Sequence, residues 1–182
     1  LFPLLYEILF RPTRQVMNLV DQSLIKLNSD NHFKKQLICL HIRLGKNPTM
    51  TNDKILYFRQ TMVEDILQFV EKNLTLNETS LLFITSDSMK VNQYVLNRYD
   101  KSQTISISGP IIHIDRLSSS YSPDEQCQGF LKVISDFYIL GECDTLIMAR
   151  SGFSEWASRR RYLPMQFNQL YLYCRGIHQI TG

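Results

Sequence analysis

The stretch "LICLHIRLGKNP", residues 37–48, decides how this chain is read. Its opening is almost wholly apolar, as in a strand covered on both sides. His41 and Arg43 then stand two apart, and Gly45 and Pro48 break the run. Side chains alternate along a strand, so Cys39, His41 and Arg43 share one face, and Leu40, Ile42 and Leu44 the other. The first face must open toward something polar where the strand ends.

Outward from this strand, helical and extended patterns alternate. Residues 13–27 place Val16, Met17, Val20, Leu24 and Ile25 at helical spacing after Pro12 and Thr13. Residues 55–70 repeat that spacing, with Ile55, Phe58, Met62, Ile66, Leu67 and Val70 on one side. Strands are expected at 81–85, in "QTISIS" (103–108), at 144–148 and in "QLYLYC" (169–174), and "PIIHIDR" (110–116) extends the sheet or crosses onward. Helices are expected at 91–99, at 123–143 (stripe Phe130, Val133, Ile134, Phe137, Leu140) and from "SGFSEWASRRR". This order predicts one α/β domain over residues 1–182, a Rossmann-like parallel sheet flanked by helices.

The chain has 182 residues, 44% of them hydrophobic, enough for one packed domain and too few for two large ones. Its 20 basic and 17 acidic residues leave a charge of +3, too mild for a nucleic-acid binder. No apolar run reaches the roughly 18 residues that span a bilayer. The opening "LFPLLYEILF" reads as the continuation of a longer protein, with any targeting signal or membrane anchor upstream. Cys39, Cys127, Cys143 and Cys174 show no C-x-x-C spacing, which argues against zinc or a redox pair. Cys39 and Cys143 are expected to be buried free thiols; the alternative is one disulfide, for instance with Cys174, in a secretory compartment. Two N-x-[ST] sequons, at Asn73 and Asn77, favour that compartment.

Ligands of open α/β sheets bind outside the carboxyl ends of the strands. There the sequence collects His41, Arg43 and Gly45, then Ser86, Asp87 and Ser88, then Arg150, Ser151 and Gly152 at a helix start. A guanidinium, an imidazole, hydroxyls and a helix start suit a phosphate or diphosphate. Each also has a plainer reading. Asp87 could cap a helix, Ser151 with Ser154 and Glu155 could do the same, and Asp136 could be a solvated helix residue. The run Arg159, Arg160, Arg161 fits a helix end, where cations favour the dipole. Trp156 reads as core and His113 as structural. There is no G-x-G-x-x-G, Walker loop, G-x-S-x-G elbow or D-x-D.

Three segments resemble one family. "ICLHIRLG" resembles the H-x-R strand motif of the GDP-fucose-dependent fucosyltransferases, the O-fucosyltransferase and α-1,6-fucosyltransferase superfamily. "LLFITSDS" resembles a later strand of those enzymes, and "SDFYILGECDTLIMARSGFSEWASRR" their last block. The resemblance implies the C-terminal, donor-binding half of a GT-B fold, GDP-fucose as donor, and no metal or other cofactor. It implies Arg43 as the catalytic residue on the β-phosphate and His41 beside the nucleotide or its diphosphate. Asp136 would meet the guanine edge, and Asp87 the base or ribose. Ser151, Gly152, Phe153 and Ser154 would wrap the phosphates, and Gly45 would lie in the turn after Arg43. A glycan or glycoprotein acceptor and residence in the ER or Golgi lumen follow from the same resemblance. Leu44 stands where some members have a second Arg, and Lys46 and Asn47 where an Asp is common. Lys46 and Asn47 support a second reading, a degenerate module that binds a nucleotide sugar or glycan.

Overall fold

A computed structural model describes residues 2–27, 35–45, 59–113, 121–160 and 169–180. Its first helices are α1 (Phe2–Leu9) and α2 (Arg14–Leu24), and a single 3-10 turn (Ile25–Leu27) follows. Thr13 caps α2 by accepting a hydrogen bond from the Val16 N–H. Then come β1 (Gln36–Ile42), α3 (Arg59–Asn73), β2 (Ser80–Ser86), α4 (Met89–Arg98) and β3 (Thr104–Ile105). The chain closes with α5 (Pro123–Gly141), β4 (Thr145–Ala149), α6 (Gly152–Ser158), β5 (Leu170–Tyr173) and β6 (Ile177–Gln179).

The six strands form one sheet in the order β3-β2-β1-β4-β5-β6. All neighbours are parallel except β5 and β6. The sequence reading ended on one last strand. The chain instead turns back at Arg175, whose φ is 57°, and Gly176, and adds an antiparallel edge. The third strand is also shorter than expected, pairing only at Leu82↔Thr104 and Phe83↔Ile105.

Period-two alternation in the strands sorts the core into two layers. Leu37, Cys39, Leu81, Phe83, Leu146 and Met148 pack with α2, α5 and α6. Ile38, Leu40, Ile42, Leu82, Ile84 and Ile147 pack with α3 and α4. The two faces predicted for β1 are the two observed. Helices on both sides of a mostly parallel sheet make this an α/β, Rossmann-like fold. Ile55, Phe58, Lys46, Asn47, Pro48 and Arg161 lie outside the described residues.

α5 differs from its sequence reading. A capping box opens it, with Ser122 and Glu125 bonded to each other's backbone N–H and Pro123 in the first turn. The buried positions are Gly129, Lys132, Ser135, Asp136, Tyr138, Ile139, Leu140 and Gly141. Of the expected stripe, Leu140 is buried, whereas Phe130, Val133, Ile134 and Phe137 are only half-buried. The helix is rotated so that three polar side chains face inward, while Val133, Ile134 and Phe137 line a cleft.

Cysteine pairing is a second correction. Cys39 and Cys143 are joined by a disulfide across a separation of 104 residues, and Cys127 and Cys174 are free and exposed. The bond ties β1 to the segment between α5 and β4, inside the α2/α5/α6 layer. No helix among the described residues is long and apolar enough to cross a membrane.

Candidate functional site

β2 leaves β1 on one side and β4 leaves it on the other, so strand order reverses beside β1. Such a switch point opens a crevice at the carboxyl ends of the strands. A cleft of about 1020 Å³ lies there. Its floor is built by His41, Arg43, Thr85, Ser86 and Asp87, with Arg150, Ser151, Gly152 and Phe153 after β4. One wall is α5, through Lys132, Asp136 and Phe137. The facing wall includes Tyr6 and the connection from Phe10 to Thr13.

The histidine of the opening motif is a buried, neutral group. His41 Nδ1 lies 2.9 Å from Ser154 Oγ, and its ring sits 5.5 Å from that of Phe153. Burial, then the neighbouring Arg43 charge, lowers its pKa to about 3. The imidazole can therefore exchange hydrogen bonds but brings no positive charge at neutral pH. That charge belongs to Arg43, half-buried one step beyond β1.

Asp87 acts on the backbone. Its two oxygens accept from the Leu44 and Gly45 N–H groups, each at 2.8 Å. Gly45 has a φ of 73°, a left-handed conformation that a side chain disfavours. Asp87 and Gly45 thus shape the turn that carries the chain away from Arg43. Ser151 caps α6, its Oγ accepting from the Phe153 N–H at 3.3 Å.

Asp136 is buried, not a solvated helix residue. Its Oδ2 accepts from Lys132 Nζ at 2.5 Å and from Thr85 Oγ1 at 2.8 Å. Its Oδ1 is buried with no hydrogen-bond partner among the described residues. Burial raises its pKa, and the Lys132 charge and the two hydrogen bonds oppose that rise. The pair leaves one buried acceptor oxygen without a partner on a residue that lines the cleft.

Seven of the nine residues singled out from the sequence line this cleft: His41, Arg43, Asp87, Asp136, Ser151, Gly152 and Phe153. Gly45 and Ser154 do not. Ser154 is fully buried behind His41, with its Oγ at hydrogen-bond distance from the imidazole. Lys132 and Thr85 escaped sequence reasoning, although Lys132 and Asp136 stand four apart, a spacing at which helical side chains meet. Trp156, expected in the core, is half-exposed on the rim, under the Arg159 guanidinium at 4.9 Å. His113 also lines the cleft.

Arg160 stands just past the end of α6 and is buried. It is 4% exposed, and its Nη2 meets Glu7 Oε1 at 2.6 Å. Its Nη1 donates to the Tyr138 carbonyl in the last turn of α5, and the guanidinium lies 4.0 Å from the Tyr138 ring. Gly141 makes room: a Cβ there would meet Nη1 at 2.6 Å. Through Glu7, with Tyr138 Oη donating to the Phe10 carbonyl at 2.6 Å, this cluster holds the α1 wall in place. No group of three or more His, Cys, Asp or Glu among the described residues could hold a metal ion.

No protein-family profile and no curated protein matches the chain. Solved structures do match it. The α-1,6-fucosyltransferase NodZ co-crystallized with GDP aligns at a TM-score of 0.60 and 13% identity, over 93% of this chain and 48% of that one. Fucosyltransferase NodZ from Bradyrhizobium gives 0.59 and 13%, over 92% and 46%. NodZ soaked with GDP-fucose gives 0.54 and 15%, over 82% and 42%. The chain spans about half the length of the structures it matches. At such identity the likeness is one of fold: this chain has a fucosyltransferase-like α/β fold.

Proposed function

We propose that this chain is the donor-binding half of a GT-B fucosyltransferase that takes GDP-fucose and transfers fucose to a hydroxyl of a glycan or glycoprotein. One observation carries the reading. His41, Arg43, Asp136 and Ser151 converge on a cleft at the sheet's switch point, in a fold like that of a fucosyltransferase co-crystallized with GDP.

Arg43 is the catalytic group. Its guanidinium matches a phosphate with two parallel hydrogen bonds. The acceptor oxygen attacks the anomeric carbon, the bond to the β-phosphate oxygen breaks, and GDP leaves with the electron pair. A cation that strengthens its hold as that charge grows raises the rate as well as the affinity. In this reading the guanidinium takes the part that a metal takes in other transferases, and the reaction inverts the anomeric centre. His41, neutral and held by Ser154, orders the diphosphate by hydrogen bonding. Ser151, Gly152 and Phe153 bring a hydroxyl and backbone N–H groups to the phosphates. The unpartnered Oδ1 of Asp136 suits the N–H donors of a guanine edge.

The acceptor and any general base belong to the other half of such an enzyme. The Cys39–Cys143 disulfide supports an oxidising compartment, the ER or Golgi lumen. Calorimetric titration of GDP and GDP-fucose, with UDP as control, tests the donor site. Arg43→Ala is expected to weaken GDP binding by roughly tenfold to a hundredfold, the worth of a charge-assisted hydrogen bond. Full-length protein that is folded yet binds no GDP would sink the assignment and leave the non-catalytic module as the better reading.

A further inference from the structure

The two sequons lie four residues apart but are presented differently. Asn73 is the last residue of α3, and its Nδ2 donates back to the Phe69 carbonyl at 3.0 Å. The Leu74 N–H continues the helical pattern by bonding to the Val70 carbonyl. The acceptor nitrogen of this sequon is therefore folded back along its own helix. Asn77 lies in the loop before β2. Its Oδ1 accepts from the Thr79 N–H at 2.8 Å and from the Thr79 hydroxyl at 2.6 Å. This is an Asx turn in which the two defining side chains of the sequon touch.

Both donors act on the amide oxygen, so they draw electrons from the amide and fix its plane, and Nδ2 points elsewhere. No hydrogen bond holds that nitrogen among the described residues. Asn77, Glu78 and Thr79 are all exposed. The backbone around them is fastened separately, by Ser80 Oγ donating to the Asn77 carbonyl and accepting from the Asn77 N–H. The loop also stands at the end of β2 opposite Ser86 and Asp87. A seven-residue strand puts it about 20 Å from the cleft floor, so a bulky glycan there leaves the donor site open.

We infer that Asn77, and not Asn73, is a site of N-linked glycosylation, an inference that rests on the lumenal location proposed above. Its co-reactant is a lipid-linked oligosaccharide diphosphate. The Asn77 Nδ2 forms a bond to the anomeric carbon of the first sugar. The bond from that carbon to the diphosphate oxygen breaks, the lipid diphosphate leaves with the electron pair, and the amide gives up one proton.

The test uses the full-length natural protein made in a eukaryotic secretory host, with an efficiently used reporter sequon appended at its C-terminus. Peptide mass spectrometry after glycan removal reads the occupied asparagines. Asn77→Gln should abolish the modification of this loop, Thr79→Ala should do the same, and Asn73→Gln should leave it unchanged. Glycan on Asn73 alone overturns the inference. So does an empty loop beside an occupied reporter, a result that leaves the compartment standing. If loop and reporter are both empty when the natural full-length protein is expressed without an added leader, the lumenal reading fails and takes this inference with it.

Discussion

On one side of the sheet, Leu40 and Ile42 pack with Ile66 and Leu67 in an apolar layer, and its charges stay outside. There Arg98 bridges Glu64 and Glu71 on the surface, at 2.9 and 2.8 Å. On the other side, alternate residues of the same strand carry a disulfide, a buried imidazole and the guanidinium of the cleft. Lys132 with Asp136, and Arg160 with Glu7, bring charge inward in that layer. One face of β1 holds the fold together mainly by apolar contact, and the other carries polar groups that cost stability unless each is partnered.

The most damaging change expected in the polar layer is loss of the disulfide. Cys39→Ala with Cys143→Ala should cost about 5 kcal/mol by the entropy of a loop near 100 residues, read as a lower denaturant midpoint. Next is Lys132→Met, which strands a buried carboxylate and should cost about 3–5 kcal/mol. Adding Asp136→Leu should restore most of that loss while GDP binding stays weak. A double variant that stayed as unstable as Lys132→Met would show that the pair is not what stabilises this wall.

Acid offers a graded test. The folded chain refuses a proton at His41 until about pH 3, whereas the unfolded chain takes it up near 6.5. The contribution of the neutral imidazole is therefore intact above 6.5 and is lost progressively as pH falls toward 3. Asp136 has the opposite sign: its raised pKa means that the folded chain holds its proton more firmly, so acid favours the fold there. Across this window, stability measured by denaturant titration should fall with acid, and His41→Gln should flatten the slope. The smallest effect is expected on the dry side. Arg98→Gln removes exposed pairs that salt already screens, and the melting temperature should barely move.

The two layers also differ in how openly the sequence declares them. The apolar face of β1 and the stripe Met62, Ile66, Leu67 and Val70 of α3 can be read directly, because burial there demands apolar residues at a fixed period. His41 and Arg43 are legible for the converse reason, as polar residues interrupting such a run. α5 misleads, since Val133, Ile134 and Phe137 of its apolar stripe are left half-buried along the cleft while Lys132, Ser135 and Asp136 are buried. Only the tertiary setting, with Thr85 waiting across the interface, accounts for that rotation. Arg160 is hidden within a basic run because its partner, Glu7, lies 153 residues away. The disulfide has no spacing signal either, as it depends on where α5 returns the chain beside β1.

That long return gives the chain a schedule. Cys39 and its strand leave the ribosome first, and Cys143 emerges 104 residues later, immediately before β4, the second neighbour of β1. At about 5–20 residues per second, the central strand waits roughly 5–20 s with an open thiol and one edge unpaired. Exposed Cys127 becomes available 16 positions earlier (143 − 127), a competing partner during that interval. Correct maturation of this domain is therefore a race between thiols.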